Sequence, residues 1–289
     1  MSVLTSFPEG LPWGEQQAFF LLLDGATISD LPQRLKQLDP TASTLALYDQ
    51  PPFSALRDVS PLLVAIEQPN DPLAQFYLHS AQEEWGVLLF SAAPMHGVAE
   101  HLRKLITVEL PTCPAVLLRL ADAAVAQALF ASADQSLFGP LTCVVTADIV
   151  NDLWRLQRPR QAECPALAVP YRLSPEQDVA LDQVDRRRTL LELDAHLLRY
   201  FSERHSGESL AQRWGVLDQL ETQASALGLG GPSALFYYAN VVFWLGSSEF
   251  EQHPQIHHLL HTPSLQSPGE RVALAAALAH QWAAERGRS

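Results

Sequence analysis

Basic side chains are in short supply in this 289-residue chain: 19 lysines and arginines face 32 aspartates and glutamates, for a formal net charge of −13 at pH 7. Affinity for a nucleic-acid backbone comes from clustered Lys and Arg that displace counterions, and attraction to an anionic membrane surface needs the same clusters. The deficit argues against nucleic acid and lipid surfaces and leaves a basic protein partner compatible. Cysteine is scarce too. Cys113, Cys143 and Cys164 stand far apart with no Cys-x-x-Cys pair, so ordinary thiols in a reducing compartment are expected rather than a disulfide framework. Long apolar runs are also missing. Runs such as Ala18 to Leu23 are far short of a membrane span, and Met1 to Gly10 lacks a basic stretch followed by an apolar one, so no signal peptide is expected. Together these absences predict a soluble, cytoplasmic protein without membrane insertion.

What is present describes a well-filled globular chain: 47% of residues are hydrophobic and 18% charged, which excludes wholesale disorder. The length suits one large or two ordinary domains. The first part alternates between two hydrophobic periods. Ala18–Leu23, closed by Asp24-Gly25, reads as a buried strand, Ser29 to Leu38 as a helix capped by Ser29, and Thr44 to Tyr48 and Pro61 to Ile66 as strands. Asp71 to Ala81 and Met95 to Ile106 read as helices around a strand at Gly86 to Phe90, and Val116 to Leu120 and Thr142 to Val145 as further strands. Such alternation predicts an α/β fold with helices on a mostly parallel or mixed sheet. After Pro170 strand signals vanish. Helices are predicted at Ser174 to Phe201, Ser209 to Leu227, Ser233 to Leu245, Pro254 to His261 and Pro268 to Arg286. The shift falls in the proline-bearing stretch Arg158 to Ser174, which divides an α/β domain, residues 1–160, from an all-helical lobe, residues 161–289.

Few residue patterns promise chemistry. His257 and His261 share a helical face, yet no acidic ligand accompanies them and no His-Glu-x-x-His occurs, so no metal site is assigned. Gly228-Leu-Gly-Gly-Pro232 follows a helix rather than a strand, and reads as a helix stop and restart instead of a phosphate cradle. No Gly-x-Ser-x-Gly elbow is present. Asp24 stands at a strand end, where α/β enzymes place carboxylates, but without an evident partner it reads as a turn residue. Arg186-Arg187-Arg188 lies mid-helix with Asp182 and Glu192 at pairing distance along the helix, and reads as a solvated face. Phe236, Tyr237, Tyr238, Phe243 and Trp244 crowd one helix. Most of them are expected to fill a core, and the remainder to anchor a partner. Arg119 and Asp122 are charges placed where a buried strand gives way to a helix. No catalytic residue and no cofactor is assigned.

Several short stretches, in order, carry a family resemblance: Leu23-Asp-Gly-Ala26, Leu47-Tyr48, the run Leu56 to Val64 with Ser60-Pro61 inside it, Trp85-Gly86-Val-Leu-Leu89, His101-Leu-Arg-Lys-Leu105, Leu118-Arg-Leu-Ala-Asp122 and Leu137-Phe-Gly-Pro140. In these the chain resembles the type VI secretion effector-chaperone family, also called the adaptor family. Ala121 and Ala123 depart from it, since the family has an aromatic before the aspartate and a proline after it. In the helical lobe, Leu245-Gly246 and Phe250 are similar to a late motif of the family. The resemblance implies a non-enzymatic cytoplasmic chaperone that binds a toxic effector through an apolar or N-terminal segment and helps load it onto the spike tip protein. Such a chaperone should offer a concave apolar surface, expected where the two lobes meet. The binding residues so expected are Arg119, Asp122, Trp85, Tyr237, Tyr238 and Trp244. Arg119 and Asp122 serve equally well as a structural pair pinning strand to helix. The competing readings are a metal-dependent or hydrolytic enzyme using the histidine cluster, and a structural scaffold of the secretion machine.

Overall fold

Residues Ala18–Leu23 form β1, whose sequence is wholly apolar because both of its faces are covered. Phe20 and Leu22 enter one core, while Phe19, Leu21 and Leu23 enter another on the opposite face of the sheet, as the two-residue repeat of a strand requires. In this computed structural model, residues 3–14, 17–110, 115–246 and 252–286 are described. Cys113 and Phe250 lie outside them. The elements that follow β1 are α1 (Leu31–Leu38), β2 (Thr44–Ala46), β3 (Leu62–Ile66), α2 (Pro72–His79), β4 (Gly86–Ser91) and α3 (Met95–Arg103). Then come β5 (Thr107–Glu109), β6 (Val116–Leu117), α4 (Ala123–Phe130), β7 (Leu141–Asp148), β8 (Leu153–Gln157) and β9 (Tyr171–Arg172). Five helices close the chain: α5 (Pro175–Tyr200), α6 (Leu210–Ala226), α7 (Pro232–Leu245), α8 (Pro254–His261) and α9 (Pro268–Arg286).

The main sheet has the order β2-β3-β1-β4-β7-β8. An α/β part followed by a helical part therefore stands as expected, but the strand directions do not follow the alternation. Every pairing in this sheet is antiparallel, for example Leu21 opposite Val64 and opposite Leu88. The reason lies in the connections. β3 and β4 flank β1 on opposite sides, so the β3–α2–β4 crossover joins strands that share a direction without touching. α1 and α2 supply Leu31, Leu35, Leu73 and Tyr77 to one core, and α3 and α4 supply Val98, Leu102, Val125 and Leu129 to the other. Mixed pairing is confined to a small sheet of order β6-β5-β9, where β5 is antiparallel to β6 and parallel to β9. The strand expected over Val116 to Leu120 accordingly ends at Leu117. Leu118 to Asp122 continue as irregular chain leading into α4.

The chain divides into two compact units, Met1–Asp185 and Arg186–Ser289, and the division falls inside α5. In the second unit Leu190, Leu193, Leu197 and Phe201 of the α5 end share a core with Leu217, Tyr238, Val241 and Ala279. Helix starts and stops follow local chemistry. Ser209 and Gln212 form a reciprocal capping box at the start of α6. Gly228 (φ 71°) turns the chain after α6, and Gly231 (φ 86°) precedes Pro232 at the first position of α7. Arg186 corrects the expectation of pairing within its own helix: it bonds Asp218 at 2.7 Å and Glu221 at 3.1 Å, both on α6. A carboxylate on a packed neighbour competes well with one along the same helix.

Candidate functional site

The stretches that carried the family resemblance meet at the end of β1. Asp24 is buried, and its carboxylate accepts from the Ala26 N–H (2.9 Å) and the Thr27 hydroxyl (3.1 Å), forming the turn expected of Asp-Gly. Its remaining capacity goes to Arg119, whose Nη2 donates at 2.5 Å and also reaches Thr27 Oγ1 at 3.1 Å. The partner missing from the sequence reading of Asp24 is thus Arg119, 95 positions away. Gly25 is required by close approach, since a Cβ there would stand 2.2 Å from the Ser60 carbonyl oxygen. Ser60 in turn accepts from the Tyr48 N–H at 3.0 Å, and the Asp24 N–H donates to the Trp85 carbonyl at 3.0 Å. Gly86, opposite Leu23, would collide with the Leu22 carbonyl if it bore a Cβ.

A second junction joins the two remaining stretches. Nε2 of buried His101 bonds the Leu137 carbonyl at 2.7 Å, and Gly139, at φ 49°, lies against the same imidazole, where a Cβ would come within 2.3 Å. Arg103 reaches the Ala46 and Leu47 carbonyls and Asp49. The motifs are therefore one connected structure, and most of it is architecture.

Arg119 is the member that reaches solvent, with its side chain 44% exposed against 7% for Asp24. Burial works against its charge, but the Asp24 carboxylate more than offsets this and holds the guanidinium protonated beyond its ordinary range. Burial beside Asp24 also pushes the Tyr48 phenol upward, so that ring stays neutral. Asp122 supports the Arg119 charge and also has a local task. Its carboxylate accepts from the Ala124 and Val125 N–H groups and caps α4. Trp85 is half-buried between Phe76 and Arg34, the guanidinium lying 5.8 Å from its ring. It touches the junction only through its backbone.

The helical unit brings a second group together. His196 and Tyr200 of α5, Tyr237, Asn240 and Trp244 of α7, and Ala273, Ala276, Ala277 and His280 of α9 line an open groove of about 530 Å³. The rings are in mutual contact: His196 lies 4.9 Å from Tyr200, and Trp244 meets His280 edge-on at 5.1 Å. His196 Nε2 and Asn240 Oδ1 are hydrogen-bonded at 2.7 Å. Tyr237 and Trp244, both picked out in the sequence, line this groove. Tyr238 does not. It is 3% exposed, with its hydroxyl donating to Gln223, and belongs to the core. Sequence reading missed His196, Tyr200 and His280, although His196 and Tyr200 stand one turn apart on a helix already recognised.

Elsewhere, His257 and His261 stack at 4.3 Å on the exposed face of α8. Burial and the neighbouring His257 push the His261 imidazole below its ordinary value, which disfavours a second charge there. Among the described residues no three His, Cys, Asp or Glu side chains are grouped to hold a metal ion, and no helix is long and apolar enough to cross a membrane.

A family model described as a domain of unknown function (DUF4123) matches residues 19–137, a range that contains all but the last of the meeting stretches. The chain is 30% identical over 280 residues to the accessory protein VasW of Vibrio cholerae serotype O1, covering 92% of this chain and 89% of that one. No solved structure matches it. With similarity running through both units, the chain belongs to the DUF4123 family, the adaptor family of type VI secretion.

Proposed function

We propose that this protein is a cytoplasmic chaperone, not an enzyme, that binds a toxic type VI secretion effector and helps load it onto the spike tip protein. The observation that carries this reading is similarity to an accessory protein over 92% of the chain, which takes in the helical unit as well as the matched domain. Holding a client without turnover calls for aromatic anchors ringed by polar groups. Tyr237 and Trp244 are the anchors we assign on the helical unit. On the α/β unit Arg119 is the assigned polar contact, with Asp122 holding the start of α4 beside it and Trp85 as a separate aromatic anchor. No cofactor is needed.

Deleting the gene and comparing secreted proteins tests the proposal. One toxin should disappear from the secreted fraction and fall in cellular level, with other secreted components unchanged, and re-expression should restore it. An unchanged secreted set would overturn the reading, as would turnover of a small molecule by the purified protein.

A further inference from the structure

We infer that the aromatic groove of the helical unit is a seat for an amphipathic helix of the partner, one that carries carboxylates beside its apolar face. The inference rests on the adaptor reading for the partner's role, but its chemistry comes from the groove itself.

Three helices build the groove, each contributing residues one or two turns apart: His196 and Tyr200, then Tyr237, Asn240 and Trp244, then Ala273, Ala277 and His280. From Tyr237 to Trp244, or from Ala273 to His280, the wall runs about 10 Å along a helix axis, which matches the span of i, i+3 or i+4, i+7 anchors on an incoming helix. The alanines of α9 leave room for incoming side chains to sink between aromatic walls. Tyr200 and Tyr237 are 57% and 42% exposed, although large aromatic rings are ordinarily covered unless they serve an interface.

Charge selects among apolar helices. The acidity of the chain resides in residues 1–185, which hold 10 basic and 22 acidic side chains, whereas residues 186–289 hold 9 and 10. Among the described residues no carboxylate lines the groove. Its polar groups are two imidazoles and an amide, and two guanidiniums stand beside it. Arg199 lies 5.2 Å from the Tyr200 ring. Arg204 is tied to the last carbonyls of α7, those of Phe243 and Trp244. An aromatic floor with cationic neighbours suits apolar anchors flanked by Glu or Asp, and disfavours a lysine-rich helix.

The test places a photo-crosslinking amino acid at position 237 of the full chain in the native cell and identifies the captured segment by mass spectrometry. The expected product is a partner segment with apolar residues at helical spacing and neighbouring carboxylates. In a tagged pull-down of the chain without the crosslinker, Tyr200→Ala with Tyr237→Ala should lower capture of that partner at least tenfold without loss of helical content. Arg199→Glu should lower it several-fold, while Arg199→Lys retains it. A crosslink to a basic segment, to a second copy of this chain, or to nothing would overturn the inference. Undiminished capture by the folded tyrosine double variant would do the same. The two readings fail separately. An effector that copurifies with the chain but never crosslinks at position 237 refutes the groove alone. An acidic amphipathic segment captured from a protein that is not secreted refutes the adaptor role alone.

Discussion

Asp194 shows how much of the helical unit hangs on single charges. Its carboxylate accepts from Arg213 Nε (2.8 Å) and Nη2 (2.7 Å) and from His205 Nε2 (2.6 Å), and Asp194 and His205 are both buried. Burial pushes this carboxyl upward, but the hydrogen bonds from Arg213 and His205 outweigh it and hold the group below its ordinary value. A carboxyl depressed by folding contributes stability that is present above its unfolded value, about 3.9, and is lost as pH falls through the folded value. Asp194→Asn should cost about 3–5 kcal/mol, read by urea unfolding, and should flatten the decline of stability below about pH 4. An unaltered acid slope would contradict that role. His101 acts in a different window. Burial is the main cause that depresses its imidazole, opposed by the Leu137 carbonyl, so the unfolded chain takes up the proton first. Stability from this site is complete above about pH 6.5 and declines as pH falls below it. Gly139→Ala should cost about 1–3 kcal/mol by overpacking against the same ring; a variant as stable as the parent would show that the ring gives way. Neither junction was legible in the sequence, because nothing local to His101 or Gly139 says that they touch.

Elements were read better than their contacts. α5, α7 and α9 fall within a residue or so of the 3.6-residue periodicity, and β1 and β4 announce themselves as short apolar runs. Strand direction was not legible, because an antiparallel sheet built on split crossovers produces the same strand–helix alternation as a parallel one. Arg119 and Asp122 stood out for a sound reason, charge at the edge of an apolar stretch, but their roles depend on elements far away in sequence. Asp122 serves α4, and Arg119 serves the turn after β1. Asp122→Ala should therefore cost about 1 kcal/mol through loss of the helix cap, visible as a lower unfolding midpoint. Its effect on partner capture should vanish once fraction folded is taken into account. Capture lost at full folding would instead place Asp122 in direct contact. The aromatic surplus of α7 was legible as more than one stripe, yet which rings face outward is decided by α5 and α9, and so Tyr238 went to the core while Tyr237 went to the groove.

At the scale of the whole molecule, charge and shape are divided between the units. The α/β unit carries nearly all of the acidity and the connected family motifs, and the helical unit carries a nearly neutral surface with an open aromatic groove. Membership in the DUF4123 adaptor family associates the chain with type VI secretion. The proposed role is the binding of one client. It is tested most directly by a tagged pull-down from the native cell under conditions that activate secretion, with partners identified by mass spectrometry and the complex sized by light scattering. One dominant toxin-like protein at near-equal stoichiometry, with or without a spike tip protein, is expected. Recovery of the chain alone, from cells in which the secretion machine and its toxins are being made, would contradict it.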